Sequence, residues 1–199
     1  MLIDKHTEYL NNRVYFMKNN RLLDPKARPI MMGWEDPIMK DAAALICKGG
    51  GKILNVGFGL GLIDSYIQSY NVDEHWIIEA HPDVQNKMKE KGWDQKLNVV
   101  CLFNKWQNVY KDLPKFDGIY FDTWMEEMDS FHELVPNILN PGGKYTYWSP
   151  NDLNVHSVFK SKKYKVQEHI TKLNYIPDNQ KYYNKLNKNF PYKLITKLI

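Results

Sequence analysis

Cysteine is scarce: Cys47 and Cys101 are the only two in 199 residues. They stand in no metal or redox spacing, which excludes a disulfide scaffold and points to a reducing, cytoplasmic setting. No apolar run approaches the roughly 20 residues that a membrane span needs, so no membrane partner is expected. The start, "MLIDKHTEYLNNRVYF", lacks the basic-then-apolar layout of a secretory signal. Six scattered histidines form no ligand cluster, so no metal is expected. Repeats and low-complexity linkers are missing too. The expectation is a single domain over residues 1–199, within the roughly 100–200 residues common for one domain.

What is present suits a packed core. Hydrophobic residues make up 43% and aromatics 14%, which excludes a disordered chain. The net charge of +4 is unevenly placed. Residues 151–199 hold ten lysines against Asp152, Glu168 and Asp178, and Tyr164, Tyr175, Tyr182, Tyr183, Phe190 and Tyr192 lie among them. Two readings stand side by side: a nucleic-acid surface, or solvated lysines flanking half-buried strand aromatics. The second is preferred, so nucleic acid is not an expected partner.

Periodicity organises the middle of the chain. Residues 34–48 read as a helix with Asp36 as N-cap and Pro37 at its first position, stopped by Gly49-Gly50-Gly51. "KILNVGF", "EHWIIEA", "NVVCLF" and "FDGIYFD" read as short buried strands, alternating with the helices "LIDSYIQSY" and "HPDVQNKMKEKGW". "DSFHELVPNILN" reads as a helix that Pro136 kinks or restarts. "GGKYTYWS" is a fifth strand after an "NPGG" turn, and "YKVQEHITKLNYI" and "YKLITKLI" are two more. Strands alternating with helices imply an α/β fold whose mostly parallel, seven-stranded sheet is covered on both faces.

Glycine is concentrated where the first of these strands meets its helix, at Gly57, Gly59 and Gly61. Such a loop lets backbone N–H groups and a helix N-terminus approach a ligand closely. A dinucleotide loop wants G-x-G-x-x-G, but position 62 is Leu. The G-x-G-x-G form suits S-adenosylmethionine, which carries no pyrophosphate; a tight turn without ligand is the alternative. Glu79 ends the next strand about 20 residues on, where an acid accepts both ribose hydroxyls. Loop and acid together point to an adenosine-containing ligand.

Two further acids draw interest. Asp122 in "YFDTW" would project from the carboxyl edge of the sheet, where open α/β folds place ligands. The alternative is a plain cap for the next segment. Glu35 in "MMGWEDP" lies among Met31, Met32, Trp34 and Met39, an unusual setting for an acid. Its alternative is an exposed residue in a first helical turn, favoured there by the helix dipole.

The set "MMGWEDPIMK", "ILNVGFGLGLIDS", "HWIIEAHPDV", "KGWDQKLNVVCLFNKWQNV", "FDGIYFDT" and "LNPGG" resembles the family joining guanidinoacetate N-methyltransferase with the fungal and plant protein arginine N5-methyltransferases. "EYLNNRVYF", "MMGWE" and "EAHPDVQNKMKEKGW" look closer to the arginine branch, though without its ankyrin repeats. The resemblance implies a single-domain, Rossmann-like class I methyltransferase using S-adenosyl-L-methionine. Residues 1–33 would close over the active site and 34–199 form the core. It implies that Phe58, Gly59, Leu60, Gly61, Leu62 and Ile63 wrap the methionine part of the cofactor and that Glu79 holds the ribose. Ala80, His81, Trp106 and Gln107 would frame the adenine, with Met31 and Met39 lining the pocket. Glu35 and Asp122 match the acids that grip the guanidino group, and Pro150 and Asn151 would contact what is attached to it.

The chemistry suits two acids independently of any family. A guanidinium is planar and cationic, and a carboxylate pair binds it through bidentate, charge-assisted hydrogen bonds. Asp122 is expected to take the proton of the attacking nitrogen, and Glu35 to be the second clamp. The expected activity is methyl transfer to a guanidino nitrogen of arginine, free or in a protein, or of guanidinoacetate. A homodimer is compatible with it. The rival is a non-catalytic adenosyl-binding module whose basic C-terminal face holds RNA.

Overall fold

Short, mostly apolar strands alternating with helices that have one apolar face stack here into a sheet with helices on both sides. A computed structural model describes residues 5–126, 128–149, 154–173 and 189–199. Its elements begin with α1 (Lys5–Asn11) and three short strands, β1 (Tyr15–Met17), β2 (Arg21–Leu23) and β3 (Pro29–Met32). Then come α2 (Asp36–Cys47), β4 (Lys52–Val56), α3 (Leu62–Ile67), β5 (Glu74–Ile78), α4 (Pro82–Glu90) and β6 (Val99–Leu102). The remainder is α5 (Trp106–Val109), β7 (Phe116–Phe121), α6 (Asp129–Ile138), β8 (Leu139–Tyr147), β9 (Tyr164–Lys172) and β10 (Asn189–Lys197).

The seven-stranded sheet has the order β6-β5-β4-β7-β8-β10-β9. β6, β5, β4, β7 and β8 pair in parallel, while β10 runs antiparallel to both β8 and β9. The chain adds β5 and β6 on one side of β4 and then returns to add β7 on the other. That reversal opens a crevice at the carboxyl ends of the central strands. β1–β3 form a separate antiparallel meander.

Side-chain alternation divides the core between the two faces. Ile53, Ile77 and Tyr120 pack with Ile38, Met39 and Ala42 of α2 and Ile63 of α3. Leu54, Ile78, Ile119 and Phe121 pack on the other face with Phe131 and Val135 of α6. Near-complete burial of β4 suits its apolar Ile53, Leu54 and Val56, while the buried Asn55 is held by hydrogen bonds to Asp64.

Several local expectations are corrected. Asp36 is the first residue of α2, and Glu35 occupies the cap position after a 3-10 turn over Gly33–Glu35. The Asp36 carboxylate instead accepts the Tyr66 hydroxyl at 2.8 Å. The "NPGG" segment is no turn before a strand: β8 starts at Leu139 and runs through it, shifting register against β7. Pro136 neither restarts nor ends α6, because it falls in the last turn; its carbonyl and that of Leu139 just past the helix accept the Lys197 ammonium at 2.9 and 2.8 Å. Of the aromatics in the lysine-rich tail, Phe190 and Tyr192 are buried. Tyr175, Tyr182 and Tyr183 lie outside the described residues.

Candidate active site

The crevice predicted by the strand order holds a cleft of about 590 Å³ including its mouth. That lies within the usual range of roughly 300–1,000 Å³ for a ligand pocket. Each parallel strand from β4 to β7 delivers the residues just past its carboxyl end. Gly57 and Gly59 follow β4, Glu79 and Ala80 follow β5, Trp106 and Gln107 follow β6, and Asp122 to Trp124 follow β7. The N-terminal segment supplies His6, Tyr9, Ile30 and Met31 on the remaining side.

The glycine loop is shaped by its own protein as well as by the cleft. Gly57 has φ of +96°, and a Cβ there would lie 1.9 Å from the Asp122 carbonyl oxygen. Gly59 has φ of +55°, and a Cβ there would lie 2.6 Å from Met31 Sδ. Only glycine adopts such conformations without strain. The Leu60 N–H donates to the same sulfur at 3.2 Å, tying β3 to the loop.

Glu79 is buried, and both of its oxygens serve the backbone. One accepts the Phe58 N–H at 2.8 Å, the other the His81 N–H at 2.7 Å. Burial pushes its pKa up, and these N–H donors oppose that shift. The acid therefore pins the start of the glycine loop to the end of β5 while lining the cleft.

Asp122 has the opposite environment. None of the described residues bonds its half-buried carboxylate, and burial alone pushes its pKa up to about 7. Next to it the Thr123 hydroxyl is buried with no partner among the described residues. Glu35 is only 3% exposed, which overturns the reading of an ordinary surface residue. Its Oε1 accepts the Met32 N–H at 2.9 Å.

The far end of the cleft is held by Glu126, which accepts the Trp106 indole N–H at 2.8 Å and an N–H of Gln107 on the same oxygen. His6 approaches its other oxygen at 4.0 Å. The Tyr9 ring packs between His81 and Trp124, with centroids 4.6 and 5.0 Å away.

Of the residues singled out in the sequence, Met31, Gly59, Glu79, Ala80, Trp106, Gln107 and Asp122 come together on the cleft wall. Glu35, Met39, Phe58, Leu60, Gly61, Leu62, Ile63 and His81 are not among its lining residues. His81 faces inward, accepting from the Asp83 N–H at 3.1 Å and donating to the Asn12 carbonyl at 3.0 Å. Pro150 and Asn151 lie outside the described residues. Sequence reasoning missed Tyr9, Thr123, Trp124 and Glu126. The last three lie within four residues after Asp122, so the loop after β7 carried the signal; nothing local marked Tyr9.

Residues 4–170 match the family described as guanidinoacetate N-methyltransferase. Protein arginine N-methyltransferase 2 of Candida glabrata is 39% identical over 153 residues, covering 71% of this chain and 37% of that protein. Its Saccharomyces cerevisiae namesake is 34% identical over 154 residues, with the same coverage of 71% and 37%. The chain thus spans just over a third of the length of these relatives. Among solved structures, spermidine synthase with the transition-state analogue AdoDATO aligns with a TM-score of 0.62 at 10% identity, covering 93% of this chain and 72% of that one. The O-methyltransferase TomG of Streptomyces achromogenes, solved with SAM, aligns at 0.58 and 10% identity, covering 85% and 82%. At such identities the structural likeness concerns the fold: a single Rossmann-like α/β domain. The sequence match spans all five parallel strands and the cleft at their ends, and by it this chain belongs to the guanidinoacetate N-methyltransferase family.

Proposed function

We propose that this protein transfers a methyl group from S-adenosylmethionine to a guanidino nitrogen. The leading substrate is an arginine-type guanidinium, free or in a protein, with guanidinoacetate next. Family membership and the names of the arginine methyltransferase relatives support the reading. The observation that carries it is Asp122: a half-buried carboxylate on the cleft wall, bonded by none of the described residues, beside a glycine loop. A buried charge without a partner is costly, so a cationic ligand is its natural complement.

The residues present fit the cofactor. Gly57 and Gly59 keep backbone, not side chain, against the cleft, and we assign Glu79 and Trp106 on its wall as the acceptor for the ribose and the aromatic face for the adenine. When bound, the cofactor supplies an electrophilic methyl group on a sulfonium. Asp122 is assigned the rest of the reacting geometry. Its carboxylate accepts N–H donors of the guanidinium and aims one nitrogen; positioning of this kind can supply roughly 7–11 kcal/mol. With a pKa near 7 it is a suitable proton acceptor at neutral pH, and a bound cation favours its charged form. Glu35, held by the Met32 N–H, is assigned as the second clamp. Residues 1–33 are read as the segment that closes over the cleft. No helix among the described residues is long and apolar enough to cross a membrane. The cytoplasm is the proposed compartment, on the free thiols of Cys47 and Cys101.

Incubation of purified protein with labelled S-adenosylmethionine and a panel of arginine, arginine-bearing peptides and guanidinoacetate tests the proposal. Methyl transfer to one of these is expected. Transfer to none, together with salt-sensitive RNA binding, would leave the RNA-holding module as the better reading.

A further inference from the structure

Asp122 has a polar neighbour on its own face of the sheet. Side chains alternate along a strand, so Tyr120 and Asp122 project to the same side of β7 and Phe121 to the other. Tyr120 belongs to the core face shared with α2, and Glu35 sits at the N-terminus of that helix. Tyr120 is 2% exposed, and its hydroxyl has no hydrogen-bond partner among the described residues. Burial, then Asp122, then Glu35, then Tyr192 push its pKa well above 10, so the group is a neutral phenol within electrostatic reach of both acids. The nearby Tyr192 hydroxyl, by contrast, is bonded to Thr171. An unpaired buried hydroxyl destabilises a fold, and phenylalanine would fill the same space without that penalty.

We propose that Tyr120 is a third contact for the substrate, in addition to the two acids. Its oxygen accepts an N–H of the guanidino group while its O–H donates to a carboxylate of Asp122 or Glu35. This rests on the guanidino reading given above. A substituted guanidinium presents five N–H donors in one plane, more than two carboxylates satisfy once one nitrogen must face the methyl group. A phenol supplies the extra acceptor without adding a third negative charge around a single cation. It thereby favours a planar, multi-donor head group over an ammonium, which is a point charge.

Tyr120→Phe separates this from a packing role. The probe is ethylguanidine, titrated calorimetrically in the presence of S-adenosylhomocysteine, with thermal unfolding measured alongside. The expected result is an equal or higher Tm, unchanged affinity for S-adenosylhomocysteine, and ethylguanidine binding weakened roughly 10- to 100-fold, the range for a hydrogen bond to a charged group. A variant that binds ethylguanidine within twofold of the wild type overturns the contact and leaves the guanidino reading standing. A lowered Tm with unchanged binding does the same, because it assigns the hydroxyl to the fold. Wild-type protein that binds no ethylguanidine overturns both.

Discussion

Asp64 and Asp122 are two acids that flank the same central strand and lead opposite lives. Asp64, in the first turn of α3, is fully buried, and its oxygens accept the Asn55 side-chain N–H at 2.9 and 3.0 Å and His75 Nε2 at 3.1 Å. His75 in turn meets Gln68 at 3.1 Å, and Asn55 also donates to the Gly57 carbonyl at 3.0 Å. Every link in that chain is internal, and it braces β4, β5, α3 and the root of the glycine loop. Tyr120 in β7 and Asp122 and Thr123 just past its end have none of these bonds among the described residues. Buried polar groups are nearly always paired, so the paired set reads as architecture and the unpaired set as a site shaped for something else.

The comparison is tested most severely by exchanging amide for acid at each position. Asp122→Asn keeps the shape but removes charge and basicity. Single-turnover methyl transfer at saturating cofactor should fall roughly 10²–10⁴-fold, with cofactor affinity little changed. A variant within threefold of the wild type would show that Asp122 is only a cap. Asp64→Asn should do the reverse. It disrupts a buried network and should lower stability by roughly 3 kcal/mol, read as a drop in denaturation midpoint, since breaking a buried charged contact costs on that order. Transfer by the protein that remains folded should stay near wild type; a large loss of turnover at unchanged stability would erase the distinction.

A third effect is smaller and depends on pH. Because Asp122 has a pKa of about 7, kcat/KM should climb tenfold per pH unit below that value and level off above it. Asp122→Asn should lose this limb, and a limb that survives the substitution belongs to another group. The weakest effect concerns stability and has the opposite sign. The folded pKa of Asp122 lies above the ordinary value of about 3.9, so its contribution is fully present below pH 4 and lost as pH rises through about 7. Asp122→Asn should therefore unfold at a higher temperature than the wild type at pH 8, with the gap closing toward pH 4. Calorimetric scans at both pH values check this, and a gap independent of pH would refute it.

Much of the fold was legible beforehand for physical reasons. Strands in the middle of a sheet are buried on both faces and mostly apolar, so β4 and β7 stood out, with Gly51 and Gly57 bordering β4 and Pro114 shortly before β7. The three strands of the N-terminal meander did not, because segments of three or four residues carry no measurable period. Glu35 was noticed for its apolar neighbours, yet an exposed or buried acid in a first helical turn has the same sequence. Tyr120 was hidden as one more aromatic in a strand, a residue type that strands favour whatever its hydroxyl does.

Composition and periodicity alone determined that this chain forms a mostly parallel α/β sheet with a crevice past β4, because those features depend on local pattern and the rules of strand connection. The order of glycine loop, Glu79 and Asp122 was likewise carried in the primary structure, each at the end of a recognisable strand. Only the tertiary structure decided which polar groups are spent and which are left available. Hydrogen-bond partners such as Asn55 with Asp64, or Glu79 with the Phe58 N–H, come from different elements, and pairing is a property of distance in space. Burial worked the same way: Asp64 and Asp122 are one residue type, and only their surroundings made one a brace and the other an open acid.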